Sequence, residues 1–88
     1  MASYRLIVRR AVAKELRPLP NRDVERILRR VEGLSDDPRP AGCEKLSARE
    51  RYRVRQGAYR IIYEVEDDAL TATVVRVGYR RHVYRYSL

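Results

Sequence analysis

Apolar and polar residues alternate from Tyr4 to Arg9, with Tyr4, Leu6 and Val8 on one face and Arg5, Ile7 and Arg9 on the other. That is the two-residue period of a half-buried strand. The spacing then lengthens: Val12 and Leu16 fall four apart among strong helix formers, which predicts a helix of about two turns over Ala11–Arg17. It stops because Pro18 and Pro20 follow, and a residue before proline, here Arg17, is pushed out of the helical region. Pro20 suits the first position of a second helix, and Asp23 and Glu25 suit its positive end. Val24, Ile27, Leu28, Val31 and Leu34 return at helical spacing. Gly33 weakens the last turn, Ser35-Asp36-Asp37-Pro38-Arg39-Pro40 ends the helix, and a loop runs to about Lys45. Two helices in succession make a helical hairpin.

The pattern returns to strands in Tyr52–Arg55, Tyr59–Val65 and Leu70–Val77, all rich in β-branched or aromatic residues. Turns fall at Gln56-Gly57-Ala58 and Glu66-Asp67-Asp68-Ala69. If Gly57-Ala58 is a two-residue loop with glycine at its first central position, Arg55 lies opposite Arg60, Val54 opposite Ile61 and Tyr52 opposite Tyr63. Paired residues share a face, so Tyr52, Val54, Ile61 and Tyr63 point to the core while Arg53, Arg55 and Arg60 stand together on the other side. The expected fold is α+β: a strand, a helical hairpin, then an antiparallel β-meander, with the helices on one face and a basic site on the other. At 88 residues the chain is expected to form a single domain, residues 1–88. Strand order does not follow from this pattern.

Charge sharpens the picture. Twenty Lys and Arg against twelve Asp and Glu leave a net +8, and lysine occurs only at positions 14 and 45. A guanidinium is a planar fork that matches phosphate, so nucleic acid outranks a generic acidic partner. Cations opposed across a sheet normally destabilise it, so the Arg55/Arg60 pair breaks a local rule, as functional positions tend to. A single arginine there reads as a solvated face; Arg53, Arg55 and Arg60 together, with no acid in the same stretch, read as a site, which Arg80 and Arg81 join if the chain after Gly78 turns back over the sheet. The tail Gly78-Tyr79-Arg80-Arg81-His82-Val83-Tyr84-Arg85-Tyr86 interleaves rings and cations, which suits single-stranded RNA better than duplex DNA, or is an amphipathic last strand with its tyrosines packed at the sheet edge.

Other chemistry finds little support. Asp67-Asp68 reads as a solvated hairpin tip rather than a magnesium site. His82 is the only histidine, which excludes a two-histidine ribonuclease pair, and it reads as a surface residue. Cys43 cannot form an internal disulfide and has no neighbouring histidine, so it reads as a plain thiol. One histidine and one cysteine supply no metal site, so neither metal nor cofactor is expected. Arg22, Arg26, Arg29 and Arg30 of the second helix read as its wet face, able to touch a polyanion of large footprint. No signal-peptide core and no apolar run of about 20 residues occurs, which predicts a cytoplasmic protein.

The run Lys45-Leu46, then Arg51-Tyr52-Arg53-Val54-Arg55-Gln56-Gly57-Ala58-Tyr59-Arg60-Ile61-Ile62-Tyr63-Glu64, and the later Val74-Val75-Arg76-Val77-Gly78-Tyr79-Arg80-Arg81-His82-Val83-Tyr84 resemble the RelE toxins of bacterial toxin–antitoxin systems. The resemblance covers almost the whole chain. It implies an endoribonuclease that enters the ribosomal A site, cleaves mRNA there without a metal, and is silenced by a RelB-like antitoxin. The toxin alone would be monomeric and its antitoxin complex of higher order. Position by position, it implies Arg60, Arg80 and Tyr84 as catalytic residues and Arg53, Arg55 and Arg81 as RNA contacts. Arg53 and Arg55 stand where the family often has lysine, Tyr79 where many relatives have histidine or lysine, and His82 where an acid is common. Two other readings remain: a ParE-type toxin of the same superfamily fold that inhibits DNA gyrase, and a non-catalytic RNA-binding domain.

Overall fold

Alternation and helical periodicity give rise to seven elements in the computed structural model, which describes residues 3–46 and 49–79. They are β1 (Arg5–Val8), α1 (Arg10–Leu16), α2 (Asn21–Asp36), β2 (Glu44–Lys45), β3 (Arg51–Gln56), β4 (Tyr59–Glu66) and β5 (Thr71–Tyr79). The strands form one sheet in the order β1-β5-β4-β3-β2. β1 runs parallel to β5, and every other pair is antiparallel. The expected α+β architecture and meander are therefore present, with two additions. β1 docks beside the last strand, and the loop after α2 contains a short edge strand, β2.

Both helices lie on one face of the sheet. Val12 and Leu16 of α1 and Ile27, Val31 and Leu34 of α2 pack against Tyr52, Val54, Tyr59, Ile61, Tyr63, Val65, Val74 and Val77. Pro20 precedes α2 as its capping residue instead of opening it, and the helix continues three residues past Gly33. Leu34 explains the continuation: it is fully buried, and the Asp37 N–H closes the last turn on the Gly33 carbonyl at 3.1 Å. Glu15 tidies the sheet edge. β1 covers β5 only as far as Val74, and beyond it the Glu15 carboxylate accepts the Val77 N–H at 3.0 Å, standing in for a missing strand.

The β3–β4 hairpin has the expected register, with Arg55 opposite Arg60, Val54 opposite Ile61 and Tyr52 opposite Tyr63. Gly57 carries a positive φ of 58°, as the first central position of such a turn needs. Between β4 and β5 a bulge at Ile62/Tyr63 shifts the alternation, so Ile62 pairs with Arg76 and Tyr63 with Val74. Val75 is the extra residue and packs with Ile62 and Leu46 on the face away from the helices.

Tyr63 ties the loop after α2 to the sheet. It is fully buried, stacks on Tyr52 with centroids 5.8 Å apart, and donates its hydroxyl to the Pro38 carbonyl at 2.6 Å. Burial raises its pKa, keeping the proton that makes this bond. Tyr63→Phe strands that carbonyl in the interior, and the expected loss is about 1 to 2 kcal/mol. Urea unfolding with an unchanged m-value measures it; wild-type stability in the variant would mean that the carbonyl has another donor.

Candidate functional site

The sheet face away from the helices is built in three rungs, because residues paired across strands share a face. The first holds Arg51, Glu64 and Thr73; the second Arg53, Ile62 and Arg76; the third Arg55, Arg60 and Gly78. Their charges are balanced very differently. In the first, Arg51 donates Nε and Nη2 to Glu64 Oε2 at 3.1 and 2.6 Å, and Arg9 Nη2 lies 3.7 Å from the other oxygen. In the second, Arg53 Nη2 meets Glu44 Oε2 at 2.5 Å and Arg76 Nη1 meets Glu15 Oε2 at 3.1 Å. The third rung has two opposed arginines and a glycine, with no acid paired to either arginine among the described residues. Positive charge is thus cancelled along the face and left over at the end that leads into Arg80.

The expected surface cluster of Arg53, Arg55 and Arg60 needs two corrections. Arg60 is buried, with only 3% of its surface exposed. β4 is the middle strand, so Arg60 is walled by β3 and β5, and strand order was the part that alternation could not supply. Its one hydrogen bond among the described residues is from Nη1 to the Tyr59 carbonyl, at 3.3 Å. Arg53 does have an acid beside it: β2 delivers Glu44 from outside the β3–β4 stretch, and the Arg53 side chain is 11% exposed. Arg55 alone of the three is open to solvent. Arg80, Arg81 and Tyr84, with His82, lie outside the described residues.

The hairpin tip at Asp67 is also not simply solvated. Asp67 takes two bonds from Arg39, at 3.0 and 2.8 Å, and one from the Tyr4 hydroxyl at 2.7 Å. Arg39 first and Tyr4 second hold the Asp67 carboxyl below its usual range. Arg39 also donates Nε to the Tyr52 hydroxyl at 2.8 Å with its guanidinium over that ring, and Tyr52 in turn donates to Glu50, whose carboxyl is lowered chiefly by that bond. The network clamps the segment that carries β2, and so sets Glu44 against Arg53. Glu44, Glu15, Arg39 and Arg76 were not singled out in the sequence; their partners are 9 to 61 residues away, beyond any local pattern. Among the described residues no three His, Cys, Asp or Glu side chains group as metal ligands, and no helix is long and apolar enough to cross a membrane.

The helix face next to the third rung has a different character. Tyr59 donates to Asp23 Oδ2 at 2.9 Å and its hydroxyl lies 3.5 Å from that of Tyr79, whose ring leans against it at 4.8 Å. The Tyr79 contact, burial and Asp23 together raise the Tyr59 pKa. Tyr59 and Tyr79 are paired across β4 and β5 and share the helix face. Neither ring stands with Arg55 and Arg60.

Comparison with known proteins extends the geometry. A family model described as the ParE toxin of the type II toxin–antitoxin system parDE matches residues 4–84. The fold is that of solved RelE toxins. The toxin–antitoxin complex RelBE2 of Mycobacterium tuberculosis is 25% identical, with a TM-score of 0.79 over 91% of this chain and 94% of that one. The RelE–RelB complex of Pyrococcus horikoshii is 26% identical, with a TM-score of 0.78 over 89% and 96%. A double mutant of Escherichia coli RelE in the free state, 23% identical, shares the fold at a TM-score of 0.81 over 97% and 92%. No curated protein sequence matches the chain.

Proposed function

The chain belongs to the ParE toxin family of the RelE/ParE superfamily, and from that premise we propose that it is a ribosome-dependent endoribonuclease that cleaves mRNA in the A site. The observation that carries this reading is the third rung. A buried cation is ordinarily paired with an acid, because desolvation is otherwise uncompensated. Arg60 instead faces Arg55, across from a glycine that contributes no side chain. Such a place is ready for an anion brought by a partner, and a phosphodiester is the anion that a guanidinium pair fits best.

The reaction proceeds by attack of a 2′-hydroxyl on the adjacent phosphorus. The O2′–P bond forms, the P–O5′ bond breaks, the 2′ proton passes to a base, and the leaving 5′ oxygen takes one from an acid. Arg60 and Arg80 stabilise the charge that accumulates on the non-bridging oxygens. They are not the base, since a guanidinium stays protonated above pH 12 or so. Tyr84 is the acid/base residue, a phenol that lies in sequence among Arg80, Arg81 and Arg85. Arg53, Arg55 and Arg81 position the message. The ribosome contributes the splayed, in-line geometry, so free RNA is a poor substrate. In this reading the protein works in the cytoplasm, needs no metal, and is neutralised by a RelB-like antitoxin whose acidic, apolar segment covers a basic toxin. The RelB partners of the RelE structures above support that last point.

The match to a ParE toxin model keeps a second reading in view, the inhibition of DNA gyrase that the sequence resemblance left as an alternative. That activity requires no unpaired cation on the open sheet face. Cell-free translation followed by primer extension, run beside a gyrase supercoiling assay, decides between them. The expected result is breaks within codons that depend on ribosomes and persist in chelator, with gyrase unaffected. Intact message together with blocked supercoiling would replace the proposal with the second reading, and binding without either effect would leave a non-catalytic RNA-binding protein.

A further inference from the structure

A second body of uncancelled charge lies on the helices. Arg22, Arg26, Arg29 and Arg30 recur at intervals that place them on one stripe of α2, and Gly33 continues it one turn further. Glu25 and Glu32 are within helical reach of Arg29, yet none of the four arginines forms an ion pair among the described residues. On the sheet face, by contrast, Arg51, Arg53 and Arg76 each have an acid.

We propose that this stripe is a docking surface for the phosphate backbone of double-helical RNA, separate from the cleavage face. Arg26, Arg29, Arg30, Gly33 and Gln56 line an open groove of about 410 Å³. No apolar side chain is among them, and of the large exposed apolar residues (Ile7, Val8, Leu28, Leu70 and Tyr79) only Tyr79 is close by, lining the adjoining cleft that shares Arg26 and Gln56 with the groove. A helical peptide needs an apolar floor to seat its own apolar face, whereas a phosphate backbone does not. Arg30 Nε is buried with no hydrogen-bond partner, a donor waiting for an acceptor. Gly33 weakens a helix interior, and a Cβ there would meet nothing within 4 Å, so packing does not demand glycine. What glycine does at this position is keep the groove open.

No aromatic residue lines the groove itself, and in the adjoining cleft Tyr59 is buried and Tyr79 leans on it, so successive bases of a single strand would find no row of rings to stack on. A duplex offers phosphates from two strands along the roughly 12 Å between Arg22 and Arg30. The choice of RNA over DNA rests on the proposed function. α2 and the third rung are on opposite faces of the sheet, so folded RNA can be held on one side while message is cut on the other.

The test uses a blunt, fluorescein-labelled 16-base-pair RNA duplex and fluorescence anisotropy between 50 and 300 mM KCl, with no ribosomes present. A failure of wild type to cleave message would therefore not touch this result. R26Q/R29Q/R30Q is expected to bind at least 10-fold more weakly at 100 mM salt, and its plot of log affinity against log salt should be shallower by about 2 to 3, close to 0.9 per lost phosphate contact. R5Q/R10Q/R17Q removes the same charge from exposed positions off the stripe and should stay within about 2-fold of wild type. G33E, which places a carboxylate in the groove without removing an arginine, should match the triple variant. Should the triple variant fail to fold, G33E alone carries the decision. Equal losses in both triple variants, an unchanged slope, or normal binding by G33E would overturn the docking surface. Equal affinity for a DNA duplex of the same sequence would overturn the assignment to RNA, and loss of antitoxin binding with RNA binding intact would make the stripe a protein interface.

Discussion

Arg60→Met is expected to lower ribosome-dependent cleavage by 100-fold or more while leaving the fold as stable as wild type, or more stable. The two effects have one cause. Arg60 is a guanidinium in the middle strand, 3% exposed, opposite another arginine and bonded among the described residues only to a backbone carbonyl at 3.3 Å. Desolvating such a charge works against folding, and an apolar side chain of similar length removes that penalty while filling the space on the Ile62 face. In the reaction the same charge meets a phosphate acquiring negative charge in a water-poor site. One preorganised donor of that kind is worth about 3 kcal/mol in the transition state. Thermal unfolding and single-turnover cleavage on the same preparation check both halves. Arg60→Lys separates charge from shape: it should recover little, because one ammonium cannot make the paired bonds of the planar fork. Full cleavage by Arg60→Met would remove Arg60 from the site, and a sharp fall in melting temperature would mean that its charge is structurally compensated.

The same residue marks how far local pattern reaches. Gly57 fixed the turn, the turn fixed the register, and the register placed Arg55 against Arg60 on the face away from Tyr52 and Val54. All of that is encoded within ten residues. Whether Arg60 is wet or dry depends on β4 having neighbours on both sides, which is decided by β5 and by the docking of β1 from the other end of the chain. Glu44 was invisible for a related reason. A two-residue strand has no period to detect, and it exists because Arg39, Tyr52 and Asp67 pin the loop that carries it. The Val75 bulge does leave a local sign, the adjacent pair Val74-Val75, after which strict alternation would put Arg76 on the core face with Ala72 and Val74; which valine is the extra one is decided by the pairing with β4. The helices were legible because their apolar spacing is longer and repeated, although the span of α2 past Gly33 was settled by burial of Leu34 and not by propensity.

Tyr84→Phe is expected to reduce the single-turnover rate by 100-fold or more, with His82→Ala and Tyr86→Phe within a few-fold of wild type. The reasoning is partly by elimination. The chain has seven tyrosines, and the five among the described residues already hold their hydroxyls in other contacts. Tyr4 bonds Asp67, Tyr52 bonds Glu50, Tyr59 bonds Asp23, Tyr63 bonds the Pro38 carbonyl, and Tyr79 meets Tyr59. The bond to Asp67 raises the Tyr4 pKa, the contact with Tyr79 raises that of Tyr59 and burial raises that of Tyr63, so these three give up their protons less readily than free phenol. Tyr59 and Tyr79 are besides on the helix face, away from Arg55 and Arg60. That leaves the tail, where Tyr84 lies in sequence among Arg80, Arg81 and Arg85. Phenylalanine keeps the ring and deletes only the proton-carrying oxygen, which separates proton transfer from stacking. The pH profile adds a signature that a packing role would not produce. With a phenolate as base, the wild-type single-turnover rate climbs with pH, and the residual rate of Tyr84→Phe is flat over the same range. Normal cleavage by Tyr84→Phe with a dead His82→Ala would transfer the role to the histidine, and a loss seen in Tyr84→Ala but not in Tyr84→Phe would make Tyr84 a stacking platform.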